Sequence, residues 1–154
     1  MDTLPQVGEV TWIGVRPATR EPVIAPDRVE AVMGSGLTGD RFKARSTKRE
    51  VTFIQKEHID AVASILGKPV SPAMLRRNIV VAGINLLALK GKTFSTGSAR
   101  FEVTGPAEPC SRMEEVLGPG GYNAMRGHGG VTARIVQSGT FGVGDKVAVV
   151  TSGG

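Results

Sequence analysis

Apolar and polar positions alternate in short runs along most of the chain, and glycine-rich turns separate these runs. Such runs, rich in Val, Ile, Thr and Phe, are typical of β-strands. Turns with Gly at 96–98, 137–139 and 143–145 favour hairpins or short loops between them. The sequence therefore predicts a mainly β (α+β) fold, an antiparallel barrel or sandwich. The predicted strands are residues 9–15, 29–33, 51–54, 78–82, 92–96, 99–105, 131–137 and 145–151.

Helical patterns interrupt these strands in three places. Residues 55–67 place apolar side chains three or four positions apart, and Gly67 supplies a stop signal. Residues 71–77 open with Ser-Pro, a pair typical of a helix start. A third short helix is expected at 110–118. We therefore expect one β-rich domain over residues 1–154, with short helical insertions.

Composition places the chain among ordinary globular proteins. Hydrophobic residues make up 40% and charged residues 21% of the 154 positions. No run approaches the roughly 20 apolar residues that a membrane-spanning helix needs. The first residues lack the basic start and apolar run of a secretory signal. A single cysteine forms no internal disulfide, so we expect a cytoplasmic protein with no membrane association.

Positive charge predicts an anionic partner. The net charge is +5, and five of the nine residues at 41–49 are basic. Only Phe42 is aromatic within that stretch, which is too little for a platform that stacks bases. Nucleic-acid binding is therefore disfavoured, and a phosphorylated small molecule or a solvated loop explains the charge as well.

The stretch GSGLTG at 34–39 matches the glycine pattern of dinucleotide-binding turns. That pattern must open a helix after a parallel strand. Here DRFKARSTKR follows, and it has no helical apolar period. We therefore disfavour a dinucleotide site and expect a glycine-rich loop that presents Arg41 to an anion.

The single cysteine, Cys110, lies where a strand and a turn meet a predicted helix, in GPAEPCSRMEE. Whether Ser111 or Glu108 caps that helix, the thiol lies within its first turn. There the helix dipole and the nearby Arg112 favour the thiolate, which is both a nucleophile and a metal ligand. The alternative is a small buried hydrophobic side chain, but a turn after a strand more often carries a site.

The two histidines give little support to other cysteine chemistry. His58 falls within the predicted helix at 55–67, and His128 lies in a mobile glycine-rich loop at 126–130. A cysteine–histidine hydrolase needs a third orienting group, and none is evident. A zinc site lacks the ligand spacing.

Several stretches together resemble the MOSC domain family, named for the C-terminal domain of molybdenum cofactor sulfurase. VTGPAEPCSRMEE (103–115) looks like its cysteine signature. The resemblance covers almost the whole chain and is to the short stand-alone bacterial members. It implies a MOSC-like β-barrel with one functional cysteine, here Cys110. The other matching stretches are GLTGDR (36–41), VTFIQKEHIDAV (51–62), LRRNIVVAGINLLAL (75–89), GPGGYNAMRGHGGVTARI (118–135) and GDKV (144–147).

The resemblance implies two chemistries for this cysteine. In amidoxime-reducing relatives the equivalent cysteine ligates molybdenum, and those enzymes reduce N-hydroxylated compounds. In fused sulfurases it was proposed to carry a persulfide made by a pyridoxal-phosphate desulfurase domain. This chain is expected to hold no pyridoxal phosphate itself, so a separate cysteine desulfurase would load Cys110. A binding module without catalysis is the third alternative.

The molybdenum interpretation assigns further residues to the cofactor (a molybdenum pyranopterin) and the substrate. Cys110 is then the metal ligand and catalytic centre, and His128 donates a proton to the departing water. No flavin, haem or iron–sulfur motif is present, so an external electron donor protein is expected. The predicted cofactor-binding residues are Arg41, Arg76, Arg77, Asn78, Thr104, Gly105, Arg112 and Arg126, with Arg126 also beside the substrate.

Overall fold

The computed structural model describes six ranges of the chain, 7–15, 23–40, 51–72, 78–107, 118–121 and 130–150. Within them the chain forms ten strands, one α-helix and one 3₁₀ helix. The strands are β1 (Val7–Ile13), β2 (Arg28–Val32), β3 (Gly36–Leu37), β4 (Val51–Gln55), β5 (Ile79–Ala82), β6 (Thr93–Thr96), β7 (Ala99–Pro106), β8 (Val131–Gln137), β9 (Gly139–Gly142) and β10 (Lys146–Val149). The helices are α1 (Lys56–Leu66) and the 3₁₀ helix Leu86–Leu89.

Seven strands close into a barrel in the order β1-β10-β6-β7-β8-β4-β5. Every neighbouring pair is antiparallel except β4 and β5, which run parallel. The predicted mainly antiparallel barrel is therefore confirmed, and the sandwich alternative is not formed. Closure leaves no free edge among these seven strands, which removes a common route to aggregation.

A second sheet has the order β3-β2-β9 and includes two strands that the pattern did not predict. Both β3 and β9 are short and contain glycine, which is a weak strand former by itself. They exist because each pairs with β2. The GSGLTG stretch thus forms a hairpin turn and β3, in which Val32 pairs with Gly36. This antiparallel hairpin differs from the strand-to-helix turn of a dinucleotide site.

Four phenylalanine rings lie at the centre of the hydrophobic core, three from barrel strands and Phe141 from β9 of the second sheet. Phe53, Phe94, Phe101 and Phe141 have no exposed surface. Neighbouring ring centroids lie 4.9–5.7 Å apart, mostly edge to face. Such pairs add about 0.5–1.5 kcal/mol each beyond the area they bury. Four of the chain's five phenylalanines are therefore used in the core.

Helix α1 packs against the outside of the barrel. Its buried residues Ile59 and Val62 contact Ile54 and Val80 of the two parallel strands. Gly67 ends it in the left-handed conformation at φ 67°, as the sequence predicts for 55–67. Among the described residues no helix has the length and apolar character needed to cross a membrane. The predicted helices at 71–77 and 110–118 lie almost entirely outside the described residues.

Two polar side chains connect the start of α1 to the segment after β5. The buried Gln55 accepts a hydrogen bond from the Leu86 amide at 2.9 Å through Oε1. Glu57 accepts one from the Gly83 amide at 3.0 Å through Oε2. Burial alone would raise the pKa of Glu57. Hydrogen bonds from the Glu57 and Gly83 amides and from Gln55, together with the nearby charge of His58, lower the pKa by a larger amount, so its net shift is downward.

The lowered pKa of Glu57 makes its contribution to stability acid-sensitive. A carboxyl group whose pKa is lower in the folded state stabilises the fold fully above its unfolded pKa of about 4.3. This stabilisation is lost as the pH falls through the folded-state pKa. We expect Glu57→Gln to lower the free energy of unfolding slightly at pH 7, since the group is largely exposed, and to lower it less near pH 3. Urea unfolding at both pH values measures this.

Asp60→Asn is the matched control for Glu57→Gln. Its carboxylate pairs with Lys56 at the surface, 3.2 Å away, rather than with main-chain amides. An equal loss of stability for Glu57→Gln at both pH values contradicts the assigned role.

The hydroxyl of Thr96 is buried without a hydrogen-bond partner among the described residues. The side chain is 1% exposed on β6. An unsatisfied buried hydroxyl is a cost that the isosteric valine lacks. We expect Thr96→Val to leave stability unchanged or to raise it by up to about 1 kcal/mol. Thermal unfolding of Thr96→Val is compared with that of the control Thr93→Val, a half-buried position on the same strand. A clear loss of stability in Thr96→Val alone contradicts the prediction.

Candidate functional site

One row of paired residues crosses five strands of the barrel. It runs through Ile13, Ile79, Phe53, Val131 and Pro106, each paired with the next. β7 ends at this row, while β5 and β8 begin at it. With strands about 4.8 Å apart, Ile79 and Pro106 are separated by roughly 14 Å across the sheet. Several segments that carry predicted site residues therefore join the barrel along one line.

Strand direction sorts these segments onto two sides of the row. β7 leaves the row toward 108–117, and the antiparallel β8 receives the chain from 122–129 on that same side. β4 and β5 run parallel to β7, so the chain enters both of them from the opposite side. The topology thus brings the connections bearing Cys110 and His128 to neighbouring strand ends. Arg41, Arg76 and Arg77 precede the strands that are entered from the other side.

The ends of the connection between β7 and β8 are held together. The Ala107 amide donates to the Gly130 carbonyl at 2.9 Å, one step beyond the last paired strand residues. Gly130 has φ 87°, and a Cβ there would collide with the Phe53 carbonyl oxygen. Only glycine satisfies both constraints. The sequence analysis predicts a mobile loop at 126–130, but the last residue of this range, Gly130, packs against the barrel.

The middle of the same connection lies beside the end of α1. Residues 118–121 form a turn in which the Gly121 amide donates to the Gly118 carbonyl at 3.0 Å. Gly118 and Gly120 both have φ 88°, and Gly121 is buried. An ideal Cβ on Gly120 would lie 3.7 Å from Leu66 Cδ2, at the C-terminal end of α1. The sequence analysis did not predict this proximity.

Asn78 is a buried junction between three strands. Its side chain is 3% exposed, and Oδ1 accepts from the Thr52 amide at 3.1 Å and from the Thr52 hydroxyl at 3.3 Å. Nδ2 donates to the Gly14 carbonyl at 3.2 Å, and the Asn78 amide donates to Thr52 Oγ1 at 2.9 Å. The predicted contact with a pterin ring stays a prediction, since this amide already joins the ends of β1, β4 and β5.

Thr104 and Gly105 form a bulge just before the cysteine-bearing connection. The Thr104 hydroxyl donates to the Thr132 carbonyl at 3.1 Å and lies 2.8 Å from the Thr132 hydroxyl. Gly105 is half-buried, and an added Cβ would meet no atom of the described residues within 4 Å. Thr104 is therefore hydrogen-bonded to β8, whereas the Cβ position of Gly105 is clear of the described residues.

The other predicted site residues lie outside the described residues: Arg41, Arg76, Arg77, Cys110, Arg112, Arg126 and His128. Within the described ranges no group of three or more His, Cys, Asp or Glu side chains is arranged to hold a metal ion. His58, the other histidine, is half-buried on α1.

If Asn78 is a structural junction, its removal must cost stability without any ligand present. We expect Asn78→Ala to lower the free energy of unfolding by about 2–4 kcal/mol, because it leaves the Thr52 amide and Gly14 carbonyl unsatisfied. Denaturant unfolding measures the loss. Combining it with Thr52→Val should cost less than the two single changes summed, since they share one network. Wild-type stability for Asn78→Ala overturns the structural role.

Comparisons with known proteins agree with this architecture. YuaD protein from Bacillus subtilis has a similar structure, with a TM-score of 0.84 and 19% identity, over 95% of this chain and 97% of that chain. YiiM from Geobacillus stearothermophilus matches with a TM-score of 0.76 and 19% identity, over 95% of this chain and 76% of that chain. YiiM from Escherichia coli gives 0.70 and 18%, over 97% and 71%.

At these identities the structural likeness establishes the fold alone. A comparison with curated protein sequences finds no significant match. The family model of the MOSC domain matches residues 36–148, nearly three quarters of the chain, and this range includes Cys110 and both anchored ends of its connection. The chain therefore belongs to the MOSC domain family.

Proposed function

We propose that this protein binds the molybdenum cofactor and reduces N-hydroxylated compounds at a molybdenum centre ligated by Cys110. The observation that carries the proposal is the arrangement at the ends of β7 and β8. There the two ends of one connection join neighbouring strands and are held together by the Ala107–Gly130 hydrogen bond. The first half of this connection carries the only cysteine and the second half carries His128. Membership of the MOSC family, which is associated with this cofactor, supports the assignment.

The metal-ligating side chains of the sequence suit a metal whose organic cofactor supplies most of its ligands. One cysteine and two histidines are too few for a soft metal site built from thiolates alone. A pyranopterin supplies two dithiolene sulfurs, so the protein needs to add only one thiolate. Gly105, whose Cβ position is clear of the described residues, would let a flat ligand approach the main chain beside the cysteine-bearing connection. These residues therefore fit the group.

In this proposal the residues on the cysteine side hold the reactive end of the cofactor. Cys110 supplies the thiolate, and Arg112 and Arg126 lower the electrostatic cost of negative charge there. When bound, the cofactor supplies a two-electron change that removes oxygen from an N–O bond. His128 donates the proton that the departing water requires.

The residues on the opposite side of the row would hold the other end of the cofactor. Arg41, Arg76 and Arg77 belong to connections that reach the barrel from that side. A pterin that ends in a phosphate is elongated, so it can reach a guanidinium clamp at a distance from its metal. Under this arrangement Asn78 supports the clamp through the strand junction, because it directly follows the segment that carries Arg76 and Arg77. Thr104 supports Gly105 in the same indirect way.

The second candidate is a cysteine-persulfide carrier. The same observation, a single thiol on a connection anchored at both ends, suits a sulfur atom that is received and passed on. It requires a separate cysteine desulfurase to load Cys110, whereas the reductase requires an external electron donor protein. The two candidates differ in whether metal is bound.

Metal content after expression in a host that makes the cofactor separates these candidates. We expect near-stoichiometric molybdenum in the wild type and loss of nearly all of it in Cys110→Ala, because one of three sulfur ligands is gone. Elemental analysis of anaerobically purified protein measures this. Reduction of an N-hydroxylated base by a low-potential chemical reductant should disappear in the same variant.

Ser111→Ala is the matched control, since it changes a neighbouring side chain and leaves the thiol. Equal molybdenum content in wild type and Cys110→Ala removes Cys110 as the ligand. Absence of metal from both, with sulfane sulfur detected on Cys110 by mass spectrometry, rejects the reductase and favours the carrier.

A further inference from the structure

A groove of about 720 Å³ crosses the outer face of β10, β6, β7 and β8, away from the row that organises the candidate site. Thr93, Arg100 and Val136 face outward on β6, β7 and β8, whereas Val149 packs against the barrel core. The lining residues that matter chemically are Lys92, Arg100, Val136, Val149 and Val150. Among the described residues of the lining, none carries a carboxylate or an aromatic ring.

Two cations in this groove have no counter-ion among the described residues. Lys92 and Arg100 are both exposed, and neither side chain forms an ion pair within those ranges. The next outward-facing residue of β7, Glu102, is instead paired with Arg134 of β8. The groove therefore keeps a local positive charge, in a chain whose net charge is already +5.

Three valines give the groove an apolar floor between its cations. Val136, Val149 and Val150 are each half-buried, and Val149 packs part of its side chain against the core. Their remaining surface is available to aliphatic groups of a ligand. A surface that combines unpaired positive charge with exposed aliphatic side chains is complementary to an acidic, partly apolar partner.

The strand register sets the spacing of the two cations. The Val103 amide donates to the Lys92 carbonyl at 3.0 Å, so Lys92 lies opposite Val103. Val103 is three positions after Arg100 on β7. Three residues of strand and one inter-strand spacing give a main-chain separation of about 11 Å. An extended peptide presents carboxylates at this separation when they are two to four residues apart, allowing for the reach of Lys and Arg.

We propose that this groove binds an extended acidic segment of a partner protein, with its carboxylates on Lys92 and Arg100 and aliphatic side chains on the valine floor. This inference rests on the groove and its charges, not on the chemistry of Cys110. It also supplies what both functional candidates require, because an electron donor and a desulfurase must each dock on this protein. A nucleic acid fits less well, since no ring in the lining can stack on a base.

Fluorescence anisotropy with two labelled peptides of equal charge tests the groove. The probes are Glu-Val-Glu-Val-Glu-Val-Glu and Glu-Ser-Glu-Ser-Glu-Ser-Glu, and the protein is the full chain at low salt. We expect the valine peptide to bind more tightly than the serine peptide, and the combined change Lys92→Ser with Arg100→Ser to weaken it about tenfold. Added salt should weaken binding to the wild type more than to this double variant.

Lys68→Ser combined with Lys146→Ser is the matched control. Both lysines are exposed and lie outside the groove, so this variant loses the same charge. Equal weakening in both double variants would mean that net charge alone drives binding and would overturn the proposal, as would no binding to either peptide. Tighter binding of oligothymidine, lost in the groove variant, would assign the surface to nucleic acid instead. Unfolding midpoints confirm that each variant is folded.

Discussion

The parallel pairing of β4 and β5 is the constraint on which the rest of the barrel depends. All other neighbours are antiparallel, and this one pair closes the ring between β8 and β1. A parallel pair cannot be joined by a hairpin, so the chain must leave β4, cross over through α1 and return. The Asn78 amide fixes the return by bonding to Thr52 and Gly14, at the ends of the two flanking strands. Without those bonds the polar groups where three strands meet would be buried and unsatisfied.

The same closure orders the candidate site. Because β5, β4, β8 and β7 share one register row, the connections that carry reactive residues attach at set positions on the barrel. At the base of the connection between β7 and β8, the Ala107 amide bonds to the Gly130 carbonyl, and at its middle Gly120 lies beside Leu66 at the end of α1.

Two groups of cations are proposed to bind anionic groups. Arg41, Arg76 and Arg77 precede strands of the register row in the chain, whereas Lys92 and Arg100 line a groove on the outer face of four strands. Arg100 lies near the start of β7, and the cysteine-bearing connection departs from the end of that strand at Pro106. A partner in the proposed groove would therefore leave the end of β7 uncovered.

Local pattern by itself determined most of the fold. Alternating Val, Ile and Phe defined eight strands, and the 3.6-residue period and Gly67 defined α1. The assignment of Cys110 as the reactive position, from the turn and helix signals around it, stays a prediction. The weak strands β3 and β9 escaped detection because their pairing with β2, and not their own residues, stabilises them. Only tertiary structure decided that Asn78 is a strand junction and that Gly130 is an anchor against Phe53. It also decided that Lys92 and Arg100 share a groove. Each of these depends on contacts between residues far apart in the chain, and a sequence pattern records only near neighbours.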